Sequence, residues 1–263
     1  MSKKVIIVGA GLFGSIAAAL AQRAGREVMV IDAKNDRRAS RCSGNLFKRS
    51  WLDALSKEDV EAAYKTLDSL YGIKDFEEIG LSWVDPEKVL LKPDMVGAVT
   101  EVGNGWVNVA AHGKIEGKVL VAAGVWSDQL VRMPSIKPLV GASLRIKGQI
   151  SVPRTKLYAP YKQATVYNIN KKEVWAGDGA AILYKNWDEE TRLKLLRTRV
   201  KALGVRIGVD EAEVRVGMRP YVPNFKTGYF VRTQKNTWVS TGGAKNGLVL
   251  AAVLGQRFVK ELR

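Results

Sequence analysis

The sequence predicts an α/β fold that begins with a Rossmann-like β-α-β unit, and three features in register predict it. An apolar strand, Lys4–Val8, leads into the spaced glycines of Gly9–Gly14. An alanine-rich helical segment, Ser15–Ala24, follows them. A second apolar strand, Glu27–Ile31, ends at Asp32, about 20 residues beyond the glycines, which is the spacing of dinucleotide-binding folds. The unit therefore predicts a bound dinucleotide; the alternative is a glycine-rich turn that binds nothing.

Each part of this unit has a physical role. Gly9 permits a tight turn, Gly11 lets the backbone approach a pyrophosphate, and Gly14 lets the helix pack closely on the strand. The positive N-terminal end of the helix then faces phosphate. The Asp32 carboxylate can accept hydrogen bonds from both hydroxyls of an adenosine ribose. The predicted nucleotide contacts of this unit are Gly9, Gly11, Leu12, Phe13, Gly14, Asp32, Ala33 and Lys34.

Two later segments also bring backbone close to a ligand. Lys118–Ser127 is an apolar strand that runs into small residues, and Trp238–Val249 places glycines, and so free amide donors, before an apolar helix. Together with the N-terminal unit, they resemble the D-amino-acid oxidase and glycine oxidase family of FAD enzymes. Pro138–Gln149 is similar to that family's crossover into its substrate sheet, and Val216–Pro220 to its Gly-x-Arg-Pro signature. Five elements in the family's order indicate FAD rather than NAD.

The resemblance implies a Rossmann-like FAD-binding domain of the glutathione reductase type with an inserted, reduced mixed-sheet substrate domain. The FAD-binding domain is then discontinuous and comprises residues 1–50, 94–135 and 236–263. The substrate domain and interlobe segments comprise residues 51–93 and 136–235. Because the first of these inserts is shorter than the family's, we expect a reduced cap over the site.

Periodicity predicts the remaining elements. Apolar residues at helical spacing predict one or two short helices within Asp53–Leu70 and a longer amphipathic helix over Asp188–Leu203. Residues 96–102 and 105–111 predict a hairpin that turns at Gly103-Asn104. Lys114–Ala123 is predicted to continue the sheet.

The single cysteine and single histidine restrict the chemistry. Cys42 excludes an internal disulfide, and His112, in a glycine- and asparagine-rich turn, is predicted to be solvated. No metal site is expected. Cys42 also lies outside the C-terminal segment where related enzymes attach flavin, so we expect a packed thiol and non-covalent FAD. The resemblance implies further cofactor contacts at Ser43, Gly44, Asn45, Ala123, Gly124, Trp126, Gly217, Arg219, Gly243, Ala244, Lys245, Asn246, Gly247 and Leu248.

Two of these residues carry the catalytic expectations. By the resemblance, Arg219 binds the substrate carboxylate in a bidentate manner; the alternative is an ordinary strand end. Lys245 polarises the N1–C2 edge of the flavin or contacts substrate; the alternative is simple solvation at a helix start. In such enzymes a hydride passes from the substrate Cα to flavin N5, and O₂ reoxidises the flavin to give hydrogen peroxide. No side chain is then needed as a base.

The charge of the chain predicts a polyanionic partner. The 263 residues include 42 Lys and Arg against 26 Asp and Glu, a net charge of +16. Aromatic side chains in the substrate domain could stack on bases, although such residues in strands are commonly core: Tyr158, Tyr161, Tyr167, Trp175, Tyr184 and Trp187. The basic residues predicted to bind nucleic acid are Arg37, Arg38, Arg41, Lys48, Arg49, Lys171 and Lys172.

The turn Ser43–Asn45 resembles an Ala-Ser-Gly-Asn turn in the FAD domain of tRNA wobble-uridine enzymes. That resemblance implies oxidation of a glycine attached to a pyrimidine 5-methylene, which leaves a primary amine and glyoxylate. We expect a phage-type enzyme that converts glycyl-thymidine in DNA to 5-aminomethyl-deoxyuridine. DNA is favoured over tRNA because no fused methyltransferase segment is present. The alternatives are a tRNA oxidase, a small-molecule oxidase of glycine, sarcosine or D-amino acids, and a non-catalytic FAD-containing protein that binds nucleic acid.

The expected location follows from what the sequence lacks. It shows neither a signal peptide nor an apolar run long enough to cross a membrane. We therefore expect a cytoplasmic protein, in the host cytoplasm if a phage encodes it, with no membrane partner.

Overall fold

The fold is described by a computed structural model that covers residues 4–159 and 162–263. Its helices are α1 (Leu12–Arg23), α2 (Ala39–Cys42), α3 (Lys57–Tyr71), α4 (Pro86–Val89), α5 (Ser127–Leu130), α6 (Glu189–Ala202) and α7 (Gly247–Glu261). Its strands are β1 (Lys4–Val8), β2 (Glu27–Asp32), β3 (Leu46–Phe47), β4 (Lys74–Phe76), β5 (Leu81–Trp83), β6 (Met95–Val96), β7 (Val99–Gly103), β8 (Trp106–Val109), β9 (Gly113–Glu116), β10 (Lys118–Val121), β11 (Lys137–Lys147), β12 (Arg154–Ala159), β13 (Lys162–Asn170), β14 (Glu173–Gly177), β15 (Ile182–Leu183), β16 (Glu213–Tyr221), β17 (Tyr229–Gln234) and β18 (Thr237–Thr241).

The first sheet is the predicted Rossmann-like sheet. Its strand order is β17-β18-β10-β1-β2-β6, and β1 pairs in parallel with both β2 and β10. After the lysine that begins each of them, the central strands β1 and β10 are apolar and buried, because both faces of the sheet are covered. On one face α1 packs against α7, where a Cβ at Gly255 would lie only 3.0 Å from Leu20. The predicted α/β fold class is confirmed.

The second sheet is antiparallel and carries the order β12-β13-β14-β11-β15, with β16 paired along β11. Successive side chains along each strand point to opposite faces of the sheet. One face packs on α6 through a buried apolar cluster that includes Leu144, Val166 and Leu196. The other face presents residues such as Thr165 and Trp175 toward the first sheet. The second sheet therefore forms a wall of the space between the two sheets.

Two three-stranded sheets complete the fold, and one of them corrects a prediction. Strands β3, β5 and β4 form one small sheet, and β7, β8 and β9 form the other. The prediction that Lys114–Ala123 continues the sheet of the hairpin holds only as far as Glu116: β9 pairs with β8, whereas β10, beyond Gly117, joins the first sheet. A Cβ at Gly117 would lie 2.9 Å from the carbonyl oxygen of Lys4, so the crossing requires glycine.

Helix boundaries differ slightly from the predicted ones. α1 begins at Leu12 rather than Ser15, so the helix starts inside the glycine pattern. α3 begins only at Lys57, where the Ser56 side chain accepts a hydrogen bond from the Asp59 amide. α6 is capped by Asp188 in the same way. Among the described residues, no helix has the length and apolar character needed to cross a membrane.

Candidate active site

A cavity of about 900 Å³ lies where the parallel strands of the first sheet end and the second sheet faces them. Residues that follow β1, β2 and β10 line one side, among them Gly9, Ala33 and Ala123. Thr165 and Trp175 of the second sheet line another side. The crevice outside the carboxyl ends of parallel strands is where α/β sheets bind nucleotides. The cavity is therefore placed and sized for a large cofactor with substrate beside it.

The glycine pattern forms a close cradle at this edge. Gly9 has a φ of 109°, and a Cβ there would lie 2.4 Å from the carbonyl oxygen of Ala122. A Cβ at Gly14 would lie 1.8 Å from the carbonyl oxygen of Gly9. A Cβ at Gly11 would meet only the Ser40 hydroxyl, at 3.5 Å. Gly9 and Gly14 thus serve the packing of protein on protein, whereas Gly11 leaves open space at the N-terminal end of α1.

Asp32 is held at the end of β2 by backbone and side-chain donors. Its Oδ2 accepts a 2.7 Å hydrogen bond from the Ala10 amide, and its Oδ1 accepts one of 2.6 Å from the Lys34 amide. The Arg38 guanidinium lies 3.2 Å from Oδ1. Each carboxylate oxygen has two lone pairs. Oδ1 already accepts two hydrogen bonds and Oδ2 accepts one, so Asp32 can still accept one ribose hydroxyl rather than the two expected. Sequence reasoning placed Arg38 with nucleic acid and missed its contact with Asp32.

Three buried polar groups on cavity-lining residues make no hydrogen bond within the described chain. They are Arg38 Nε, the Ser40 hydroxyl and the Asn45 side-chain amide nitrogen. Buried polar groups are ordinarily paired, and a dinucleotide offers oxygen and nitrogen acceptors along its length. These groups therefore fit FAD. Sequence reasoning missed Ser40, because this residue belongs to none of the predicted motifs. Only the fold shows that it is part of the site, because α2 brings it beside Gly11.

The turn Ser43–Asn45 is fixed from the second sheet. Tyr167 donates a 2.6 Å hydrogen bond to the carbonyl oxygen of Gly44, and the Trp175 indole N–H donates to the carbonyl oxygen of Cys42 at 3.3 Å. A Cβ at Gly44 would lie 2.8 Å from the Trp175 ring. Two aromatic side chains therefore set the position of this part of the cavity wall.

The structure places four of the six aromatic side chains that were predicted to stack on bases. Tyr167 is fully buried and its pKa is raised by burial, so it cannot stack on a base. Trp175 lines the cavity, Trp187 is half-buried and Tyr184 is exposed. Tyr161 and the side chain of Tyr158 lie outside the described residues.

The C-terminal glycine turn closes another wall of the cavity. A Cβ at Gly243 would lie 2.8 Å from the Phe13 ring, so the turn packs directly on the start of α1. The Ala244 amide donates to the carbonyl oxygen of Pro220, and the Asn246 side chain donates to the carbonyl oxygen of Trp51. The turn is thereby tied to β16 and to the segment before α3.

Arg219 projects from β16 into the cavity. Its guanidinium donates a 2.6 Å hydrogen bond to the carbonyl oxygen of Ala180. A Cβ at Gly141 would lie 2.9 Å from one of its terminal nitrogens, so a glycine is needed beneath it. Among the described residues, no carboxylate forms an ion pair with Arg219. The remaining N–H groups are available to a ligand anion.

Most of the residues predicted to bind cofactor line this cavity. Those that line it are Gly9, Gly11, Leu12, Phe13, Asp32, Ala33, Ser43, Gly44, Asn45, Ala123, Gly124, Trp126, Arg219, Gly243, Ala244, Lys245, Asn246, Gly247 and Leu248. Gly14, Lys34 and Gly217 do not. A Cβ at Gly217 would lie 2.3 Å from Cys42 Sγ, so this glycine serves packing of α2 on β16. Cys42 is buried, and burial raises the pKa of its thiol.

The basic residues predicted to bind nucleic acid divide into two groups. Lys48 and Arg38 line the cavity. The others lie away from its wall: Arg37, Arg41, Arg49, Lys171 and Lys172. Arg41 pairs with Asp36 and Arg49 with Glu61. His112 is exposed, as predicted, and the described residues contain no cluster of metal-binding side chains.

Comparisons with known proteins match two segments of the chain to protein families. Residues 7–47 match the NAD(P)-binding Rossmann-like domain family, and residues 94–261 match the FAD-dependent oxidoreductase family. The crystal structure of glycine oxidase from Bacillus cereus ATCC 14579 superposes with a TM-score of 0.73 at 16% identity, over 98% of this chain and 94% of that one. No curated protein matches significantly by sequence.

Two further solved structures share the fold. Iminodiacetate oxidase from Chelativorans sp. BNC1 has a TM-score of 0.70 at 16% identity, over 96% of this chain and 93% of that one. Amadoriase I of Aspergillus fumigatus, a fructosyl amine:oxygen oxidoreductase, has a TM-score of 0.68 at 13% identity, over 100% and 87%. The prediction of FAD as cofactor is confirmed by the family match, which spans most of the chain. The chain belongs to the FAD-dependent oxidoreductase family.

Proposed function

We propose that this enzyme oxidises the carbon between an amine and a carboxylate, and that Arg219 binds the carboxylate. The supporting observation is a guanidinium in the cavity wall that has a backbone acceptor on one side and no carboxylate partner in the described chain. A planar guanidinium binds a carboxylate through two parallel hydrogen bonds and so fixes its orientation. The substrate α-carbon is then held at a defined distance from the bound cofactor.

Bound FAD would supply the oxidising equivalent by accepting two electrons and a proton from the substrate C–H bond. The substrate amine also loses its N–H proton and becomes an imine, and water divides the imine into an amine and a carbonyl compound. O₂ takes the two electrons and the two protons to give hydrogen peroxide. Arg219 orients the substrate, and the Gly243–Leu248 turn covers one side of the cavity and limits water there. We propose non-covalent FAD because Cys42 Sγ contacts the carbonyl oxygens of Ala39 and Gly141 and does not line the cavity.

At a finer level, we propose that the oxidised group is a glycine carried on a pyrimidine of nucleic acid, with DNA preferred. The support is the net charge of +16 and the exposure of Arg37, Lys171 and Lys172, none of which forms an ion pair with a described carboxylate. A surface rich in unpaired cations attracts phosphate. The fold neighbours named above include an oxidase of iminodiacetate, which is itself an N-substituted glycine.

A small-molecule oxidase is the second candidate. The observation in its favour is that the fold spans 94% of the Bacillus cereus glycine oxidase. Such an enzyme would need Arg219 and the cofactor cavity but would gain nothing from the basic surface. It would oxidise glycine or sarcosine at a rate that responds little to salt.

One assay separates these functions. Purified holoprotein is offered glycyl-modified DNA, modified tRNA, glycine and sarcosine, and peroxide and glyoxylate are measured. Turnover of modified polymer well above that of glycine supports the nucleic-acid substrate. Brisk turnover of glycine or sarcosine without polymer turnover supports the second candidate. Flavin that none of these substrates reduces would reject both. Acid precipitation of the same sample should leave all flavin in the supernatant.

A further inference from the structure

We propose that Lys48 and Trp51 form a nucleotide-binding site on the cavity wall, in which the indole stacks on the pyrimidine and the ammonium binds a phosphate. The inference rests on the proposed nucleic-acid substrate and assigns that substrate a site. Neither the glycine pattern nor the family signatures include these two residues as a pair. We call them the Lys48–Trp51 pair below.

The geometry of the Lys48–Trp51 pair carries the inference. Both residues line the cavity, and both are half-buried. Lys48 Nζ lies 5.3 Å from the centroid of the indole ring. Lys48 forms no ion pair with a described carboxylate, so no such carboxylate neutralises its positive charge. Its ammonium contacts the indole ring. An aromatic face beside an unpaired cation is the combination that binds a base together with its phosphate.

The pair is held rigidly relative to the cofactor cavity. Trp51 ends a single 3₁₀ turn, Arg49–Trp51, and its carbonyl oxygen accepts a 2.8 Å hydrogen bond from the Asn246 side chain. On its other side, the next residue, Leu52, is buried in the apolar core. Since Asn246 belongs to the glycine turn that also lines the cavity, the backbone of Trp51 has a fixed position relative to it. A stacking surface held in place loses little entropy when a base binds.

The charge around the pair favours an anionic ligand. Among the described residues that line the cavity, four are cationic, Arg38, Lys48, Arg219 and Lys245, and two are acidic, Asp32 and Asp53. Arg219 lines the same cavity and is the proposed ligand of the substrate carboxylate. A free glycine would occupy Arg219 alone. A nucleotide that carries a glycyl arm would place its carboxylate on Arg219 and its base and phosphate on the Lys48–Trp51 pair.

The chain offers a matched control. Lys114 Nζ lies 5.2 Å from the centroid of the Trp106 ring, so the same two residue types lie at nearly the same distance, although Lys114 also pairs with Glu116 at 2.8 Å. That pair lies on the sheet of β7, β8 and β9 and does not line the cavity. Any effect of indole loss on folding or fluorescence in general should appear at both pairs. An effect on nucleotide binding should appear only at the first.

The test measures binding of a fluorescent single-stranded oligonucleotide to the FAD-loaded protein. Trp51→Ala should weaken binding by about five- to 150-fold, the range expected for loss of one base-stacking contact. Trp51→Phe should weaken it less. Lys48→Gln should lower the slope of log K against log[salt] by about 0.7, the value for one phosphate on a single strand. Trp106→Ala and Lys114→Gln should bind as wild type does.

Equal effects at the two pairs would overturn the assignment, as would a wild-type protein that does not bind the oligonucleotide. Should Trp51→Ala fail to fold, Trp51→Phe and Lys48→Gln still decide it, because the first keeps an aromatic ring at position 51 and the second keeps most of the side chain at position 48. Peroxide formation from glycine in the same preparations reports the oxidase proposal separately. Oxidation of modified DNA with no loss in Trp51→Ala and Lys48→Gln would leave the proposed function standing and reject this site.

Discussion

The Tyr167 hydroxyl donates a 2.6 Å hydrogen bond to the carbonyl oxygen of Gly44 and accepts one of 3.1 Å from the Trp83 indole. These two bonds join three parts of the molecule: β13 of the second sheet, β5 of a small sheet and the turn beside the cofactor cavity. Because all three groups are buried, none can form a replacement hydrogen bond with water. The Tyr167 hydroxyl is therefore one of the groups that fix the position of the turn, together with the Trp175 indole.

Tyr167→Phe should destabilise the protein measurably. The substitution leaves one buried carbonyl and one buried N–H unpaired, which costs roughly 1–3 kcal/mol for each group left without a partner. Denaturant unfolding of the FAD-free protein should show the loss, and the holoprotein should also bind FAD more weakly. Tyr184→Phe, at a tyrosine that is 53% exposed, is the control and should leave both quantities unchanged. Equal stability in the two variants would contradict the structural role of the hydroxyl.

Substitutions at two neighbouring glycines should separate folding from cofactor binding. Gly14→Ala places a Cβ 1.8 Å from the carbonyl oxygen of Gly9, so we expect lost stability even without FAD. Gly11→Ala meets only the Ser40 hydroxyl, at 3.5 Å, so the protein should fold normally and retain less FAD. The measurements are unfolding of the FAD-free form and the ratio of flavin to protein absorbance. Normal FAD content in Gly11→Ala would show that pyrophosphate does not approach this backbone.

Arg219 should be required for substrate and dispensable for FAD. Arg219→Lys keeps the charge and Arg219→Ala removes it, but both destroy the bidentate contact. We expect kcat/KM to fall by about tenfold to several-thousandfold, or roughly 2–5 kcal/mol, with FAD content unchanged. Arg232→Lys, on the exposed end of β17, is the matched control. Near-wild-type turnover in both Arg219 variants would move the carboxylate site elsewhere.

The buried thiol of Cys42 should make stability depend on alkaline pH. Burial raises the pKa of this thiol above its usual 9.0, so the folded state holds the proton more tightly than the unfolded state. Its contribution is fully present below about pH 9 and is lost as pH rises above it. The stability difference between wild type and Cys42→Ala should therefore shrink above pH 9. A difference that stays constant from pH 7 to pH 11 would mean that Cys42 titrates normally.

The basic surface should bind nucleic acid in a salt-dependent way. On duplex DNA, log K should fall with log[salt] by about 0.9 for each neutralised phosphate. Reversing charge at Arg37, Lys171 and Lys172 should raise KM for the modified polymer and spare turnover of a free modified nucleoside. Reversing charge at the exposed Lys57, Lys65 and Lys194 changes the net charge equally and serves as the control. Equal effects in the two triple variants would mean that only net charge matters.

The sequence predicted the parts of the site that depend on local spacing. The glycine pattern, Asp32 and the terminal glycine turn each need a fixed backbone path over a few residues, and such paths leave a pattern in the chain. Arg219 was found by its neighbours Gly217 and Pro220 rather than by its surroundings. Its bond to Ala180 and the close approach of Gly141 join residues that are distant in sequence, and no spacing reveals them.

Ser40, Arg38 and Trp51 show why the rest could not be predicted. Ser40 is an ordinary residue until α2 brings it beside Gly11, and Trp51 could as well have belonged to the core. The sequence also does not show that Gly117 divides Lys114–Ala123 between two sheets. The chain changes sheets at this residue, whereas the sequence pattern continues across it. Contacts between distant residues decide these cases, and a single sequence does not record them.

The order of strands in the first sheet also constrains how the protein is made. β10 has β1, from the beginning of the chain, on one side and β18, near its end, on the other, and α7 packs on α1. A growing chain on the ribosome therefore lacks one wall of the FAD cavity until residues 237–261 have emerged. FAD can therefore be fully enclosed only after β18 and α7 have been synthesised.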